Sequence, residues 1–382
     1  MNCYVLKNVR AAINGVQVAA DLTVKNGKIT ALNAAEDSGL PIVDGGGMLL
    51  LPGFMDLHTH GADGVDVNEA TPDQFRQISR FFASQGVTGW LCSILTDTKE
   101  QTLKIIAAAR EVIEQGSGGA ALLGIHLEGP CLSTEYKGAM PESLLMHQGD
   151  PELFAEYQKA AGGHIRYVTI SPEIPGAVEM IPRLRELGMV VAIGHSGAGY
   201  DVAAAAVAAG AASATHLGNA ERLFHQHDPA IWGVAIEKNL YLETIADGRH
   251  LHPGSVRLYL KAGGWDRVIA ITDSIMATGL PDGQYKLGVN DVTVVDGDAK
   301  LTSNGVRAGS TLTLAQALRN LVRFTGRKPE EIVRLMSANP AALMGWHTKG
   351  EIAPGMDADL VLLDKDLQVC RTIVAGKTVY VR

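Results

Sequence analysis

Two rhythms of apolar and polar positions divide the chain. Near its start, Tyr4-Val5-Leu6 and Ala20-Asp21-Leu22-Thr23-Val24 read as short strands, and Asn26-Gly27 follows as a hairpin turn whose residues tolerate positive φ. The other end is alike: Asp359–Asp364 and Thr372–Val381 alternate, with a turn at Ala375-Gly376-Lys377. Neither strand-rich end can bury a face alone. The two are therefore expected to pair into one small β-sandwich domain, from residues 1–50 and 350–382.

Between them, apolar runs ending in polar clusters alternate with helix-like segments. The runs are Leu50–Leu57, Gly89–Ile94, Leu122–Leu127, Ile165–Ile170, Val190–Gly194, Ser213–His216, Leu240–Ile245 and Val268–Ile271. Eight parallel strands with crossover helices close a (β/α)8 TIM barrel, so an α/β fold with a barrel over 51–349 is predicted. A doubly wound open sheet is the alternative. Helices are predicted over Thr71–Gln85, Lys99–Glu114, Ala177–Leu187, Asp201–Ala209 and Gly254–Ala262, with two closing helices at Thr313–Thr325 and Pro329–Ala338. Tyr285-Lys286-Leu287 and Asp291–Val295, followed by Asp296-Gly297-Asp298, predict an inserted hairpin over 284–303.

Composition narrows the class. Over 382 residues, 46% are hydrophobic and 19% charged, enough apolar surface for a large core. A net charge of −8 without a basic stripe argues against nucleic acid as a partner. The Ala-rich stretch Val202–Ala214 is broken by Gly210 and too short to span a membrane, and the first residues lack a signal-peptide run. Cys3, Cys92, Cys131 and Cys370 show no CxxC spacing, so free thiols in a reducing cytoplasm are expected.

In a βα barrel the chemistry lies where strands end. The first run ends in Asp56-Leu57-His58-Thr59-His60, and a period of two puts both imidazoles on one side. The third ends in His126-Leu127-Glu128, an acid where an unpaired charge would be costly. The fifth ends in His195, the sixth in His216 and the eighth in Asp273. Singly each could be a satisfied core histidine or a capped acid; jointly they place imidazoles and carboxylates on one rim. That donor set fits a divalent metal, Zn²⁺ foremost, with Fe²⁺, Co²⁺ or Mn²⁺ as other options and one or two ions per subunit.

These strand ends, with Pro52–Gly61, His126–Pro130, Gly194-His195-Ser196, Thr215-His216-Leu217, Ala246–His250, Thr272-Asp273 and Ala308–Leu312, resemble the amidohydrolase superfamily. Within it they are similar to the N-acetylglucosamine-6-phosphate deacetylases, in order along nearly the whole chain. Most amidohydrolases use a carboxylated Lys on the fourth strand; His164–Ser171 offers none, and Glu128 supplies the acid, as in the deacetylase branch. The resemblance implies Glu128, His195 and His216 as main metal ligands, His58 and His60 as holders of a second ion, and Asp273 as the catalytic carboxylate. Asn219, Ala220, His250 and Leu312 fall at positions where it implies substrate contacts. It also implies a homodimer with a partner loop near an amino-sugar substrate.

Two positions depart from the pattern. Met140, after Lys137-Gly138-Ala139, stands where the family places a His near the acyl group. Gln226-His227-Asp228-Pro229 stands where the family has an Arg for the sugar phosphate, leaving Arg222 or His227 as the candidate anion contacts. The expected reaction is deacetylation of N-acetylglucosamine-6-phosphate or N-acetylgalactosamine-6-phosphate. The alternatives are an amidohydrolase for an unphosphorylated N-acyl amino sugar, an N-acyl amino acid or a cyclic amide, and a metal-free binding protein on a degenerate barrel.

Overall fold

The computed structural model describes residues 3–33 and 39–382. Strands Cys3–Ile13, Val16–Lys25, Lys28–Leu32, Ile42–Asp44 and Leu49–Pro52 join Leu360–Leu363, Val369–Val374 and Lys377–Val381 in one eight-stranded sheet. The antiparallel pair Leu49–Pro52 with Leu360–Leu363 links the two chain ends. The sheet curls until its hairpins meet: Ala358 N–H donates to Gly27 O at 2.7 Å, and Gly376 N–H donates to Ala358 O at 3.0 Å. Leu6, Leu22, Val24, Leu50 and Leu360 are fully buried in the apolar cluster so enclosed. Asn14-Gly15 and Asn26-Gly27 turn the first two hairpins, all four residues with positive φ.

The barrel strands are Phe54–Asp56, Val87–Leu95, Ala121–Glu128, Ile165–Ile170, Val190–Ile193, Ser213–Ala214, Tyr241–Ile245 and Val268–Ile271. They pair in parallel in chain order. Backbone bonds just beyond the first and eighth strands close the ring: Asp273 N–H donates to His58 O (2.9 Å) and His60 N–H to Ser274 O (2.7 Å). The buried Asp56 carboxylate reinforces the seam, accepting from Thr272 N–H at 3.2 Å and Thr272 Oγ1–H at 2.6 Å. Among the described residues, no helix is long and apolar enough to cross a membrane.

Three local expectations change. Leu50–Leu57 is not one strand: Leu49–Pro52 belongs to the terminal sheet and Phe54–Asp56 to the barrel, with Gly53 between. Helices Pro151–Ala160 and Ala230–Glu237 are additions. Pro151–Ala160 has a sequence signal, Asp150 accepting from the first-turn amides before Pro151 at the helix start. Ala230–Glu237 is almost wholly apolar and shows no helical stripe in sequence. The inserted hairpin is a three-stranded antiparallel sheet, Gly283–Leu287, Asn290–Val295 and Asp298–Leu301.

Candidate metal centre and active site

The first, third, fifth, sixth and eighth strand ends converge at one end of the barrel. Glu128, His195 and His216 form one buried group of donor atoms, and His58, His60 and Asp273 form another. His195 Nε2 and His216 Nε2 are 3.1 Å apart, and each lies 3.2 Å from Glu128 Oε1. His58 Nε2 and His60 Nε2 are likewise 3.1 Å apart. His60 Nε2 is 3.2 Å from both Glu128 Oε2 and Asp273 Oδ1, so the Glu128 carboxylate faces both groups.

Neighbouring hydrogen bonds fix which ring nitrogens face inward. His60 Nδ1–H donates to Ser93 O at 3.0 Å and His195 Nδ1–H to Tyr136 O at 2.9 Å; a carbonyl can only accept. His58 Nδ1–H donates to the buried Glu243 Oε2 at 3.0 Å. In the neutral tautomers, three Nε2 lone pairs are thus aimed at carboxylate oxygens and at one another, an arrangement that repels unless a positive charge sits between them. Ligands around a tetrahedral Zn²⁺ are separated by about 3.3 Å, close to the spacings found. The residues fit a divalent metal site.

The field points the same way. Burial opposes charge on His58, yet Glu128 and Glu243 hold its pKa well above the ordinary value. Burial likewise opposes charge on His60, but hydrogen bonds to Asp273 and Glu128 push it up to about 9. Burial resists ionisation of Asp273 too, but His60 and His58 outweigh it and keep the carboxyl below its usual range.

Above the clusters is a cavity of about 190 Å³. His60, Glu128, His195, His216 and Asp273 line its inner part, with Met140, Asn219, Ala220 and His250 on its walls. His250 Nδ1 pairs with Asp247 Oδ2 at 2.7 Å. His58 lies deeper, fully buried and outside the lining. Leu312 is buried but does not line this space. Arg222 and His227 are not brought to it either. After Glu221 bridges to Ser196 the loop turns outward, and Arg222 Nη1 pairs with Asp228 Oδ2 at 3.1 Å. His227 lies beside Tyr200 and Asp228, in a separate surface hollow.

Two residues that the sequence reading did not single out belong to this site. Glu243 supports His58 through its side chain and also accepts from His216 N–H at 3.0 Å. Its signal was a lone acid inside the apolar run Leu240–Ile245. Arg307 lines the cavity and gave no signal, because its loop follows the inserted sheet rather than a barrel strand.

The amidohydrolase family model matches residues 49–379. The chain is 34% identical to the N-acetylglucosamine-6-phosphate deacetylase of Lysinibacillus sphaericus, over 98% of this chain and 97% of that protein. It is also 34% identical to the N-acetylgalactosamine-6-phosphate deacetylase of Escherichia coli O157:H7, over 93% of each. Its structure is similar to that of a variant N-acetyl-D-glucosamine-6-phosphate deacetylase from Mycobacterium smegmatis, solved with N-acetyl-D-glucosamine-6-phosphate. The TM-score is 0.92 at 32% identity, covering 99% of this chain and 100% of the other. With that match and the geometry of its strand ends, the chain belongs to the amidohydrolase family, within its N-acetylglucosamine-6-phosphate deacetylase group.

Proposed function

We propose that the protein is a metal-dependent deacetylase that hydrolyses the amide of an N-acetylated amino-sugar 6-phosphate, N-acetylglucosamine-6-phosphate or N-acetylgalactosamine-6-phosphate, to the amine and acetate. One observation carries this reading: Glu128 lies between two groups of inward-facing imidazoles with Asp273 within 3.2 Å of His60, at the floor of a cavity. Glu128, His195 and His216 would hold one divalent ion, with His58, His60 and Asp273 offering a second place. Two imidazoles and a carboxylate favour Zn²⁺ over harder ions. Bound there, the ion supplies Lewis-acid polarisation and lowers the pKa of water.

The chain's own residues supply the proton path. Asp273, ionised and at the cavity floor, accepts the proton of the attacking water. It then returns that proton to the amine nitrogen, which leaves only once protonated. His250, oriented by Asp247, is placed on the wall to donate to the substrate. Met140 has no proton to give. The half-buried or buried thiols, all four unpaired, suit a reducing cytoplasm.

Asp273→Asn tests the assignment. Acetate release should fall by about a thousandfold while bound metal, measured by elemental analysis, is retained. Turnover near the wild-type rate would remove Asp273 from this role.

A further inference from the structure

An amino-sugar phosphate brings a dianion into the cavity, and a fixed cation on the cavity wall would receive that charge. Among the described residues that line the cavity, Arg307 is the only Lys or Arg. Its Nε and Nη2 donate to Asp298 Oδ1 and Oδ2 at 3.0 and 3.3 Å, a fork that fixes the guanidinium plane. That fork uses one edge of the group, leaving Nη1 and the second Nη2 hydrogen to donate elsewhere. Asp298 does not cancel the charge, because Lys300 Nζ also pairs with it at 2.9 Å, leaving the trio with one net positive charge. Arg249 joins the same turn through its bond to Asp296 O.

Depth separates the two ends of the cavity. The Glu128 and Asp273 side chains are 2% and 11% exposed, whereas that of Arg307 is 35% exposed. An amide bound at the floor therefore leaves the far end of its molecule toward the more exposed part of the lining, to which Arg307 belongs. Arg222 and His227 lie outside this cavity.

We infer that Arg307, clamped by Asp298 at the outer end of the cavity, recognises the substrate's phosphate. This rests on the deacetylase reading. Bidentate pairing with a planar guanidinium suits a tetrahedral dianion, and a clamped side chain loses little freedom on binding. The inserted sheet thereby supplies anion recognition from a place where the barrel strands contribute none.

The metal-loaded full-length protein allows a direct test by acetate release from N-acetylglucosamine-6-phosphate and from N-acetylglucosamine, with calorimetric titration of inorganic phosphate alongside. Arg307→Ala should lower the phosphorylated-to-unphosphorylated ratio of kcat/KM by about tenfold or more, chiefly through KM, with Arg307→Lys intermediate. Phosphate binding should weaken in the same order. If the wild type deacetylates the phosphorylated sugar and Arg307→Ala leaves that ratio unchanged, the inference is overturned and the deacetylase reading stands. If neither sugar is hydrolysed yet phosphate binding depends on Arg307, the deacetylase reading fails and the anion site stands.

Discussion

His195, His216 and Asp273 share an uncommon backbone state, with φ of 49°, 30° and 51°. Non-glycine residues rarely adopt it, Asn, Asp and His least rarely, and its recurrence at the fifth, sixth and eighth strand ends marks turns held in place by their surroundings. Glu221 is one such restraint. Its Oε1 accepts Gly218 N–H at 2.8 Å, tightening the loop that presents Asn219 and Ala220. Oε2 is buried without a hydrogen-bond partner among the described residues, and burial pushes this carboxyl from 4.5 up to about 8. The folded protein thus holds the proton more tightly than the unfolded chain. The contribution to stability is complete below the unfolded value and is lost as pH rises through the folded one. Between about pH 6 and about pH 8.5, the wild type should lose about 2 kcal/mol that Glu221→Gln keeps. Urea unfolding of both proteins at the two pH values measures this; parallel losses would show that Glu221 is ionised in the folded state.

Among the elements, one sharply constrained junction is Gly53, where the chain passes from the terminal sheet to the barrel. A Cβ there would lie 2.2 Å from the Cγ2 and Oγ1 of the buried Thr88, so the two sheets approach too closely for any side chain. Gly53→Ala should destabilise the fold by about 1–3 kcal/mol, and adding Thr88→Gly should return part of that loss. Additive losses in denaturant unfolding would mean the clash is not the cause. The same junction shows what the sequence could convey. Leu50–Leu57 is apolar but for Asp56, and periodicity alone does not mark that its two halves pair with different partners, although Pro52-Gly53 is a break signal. The strand ends were legible because an acid or imidazole closing an apolar run needs a reason, and parallel strands send all such ends to one rim. Arg307 was not, since an arginine after a turn-rich insertion is ordinary, and only the folded inserted sheet carries it over the cavity. Arg222 and His227 lay close to the rim in sequence, but the outward turn after Glu221 takes them away from it.

For the molecule as a whole, the outward loop bears on assembly. Leu223 and Phe224 are 78% and 54% exposed beside the active-site end, with Phe224 resting edge-on against Trp232 at 5.2 Å. Two large apolar side chains exposed on one loop suit burial against a second copy in a twofold dimer. Light scattering should therefore find the wild type as a dimer and the double variant Leu223→Asp, Phe224→Asp as a monomer, because each protomer would press two charges into the partner's apolar contact. His216 is the metal ligand nearest in sequence, but it is buried whereas Leu223 and Phe224 are exposed, so metal content should stay at the wild-type level in the monomer. A variant that remains dimeric would place the subunit contact elsewhere on the surface. A wild type that is monomeric at micromolar concentration would leave the loop as a solvent-exposed arm. The contrast between the two proteins, rather than the wild-type mass alone, decides whether this loop carries the association.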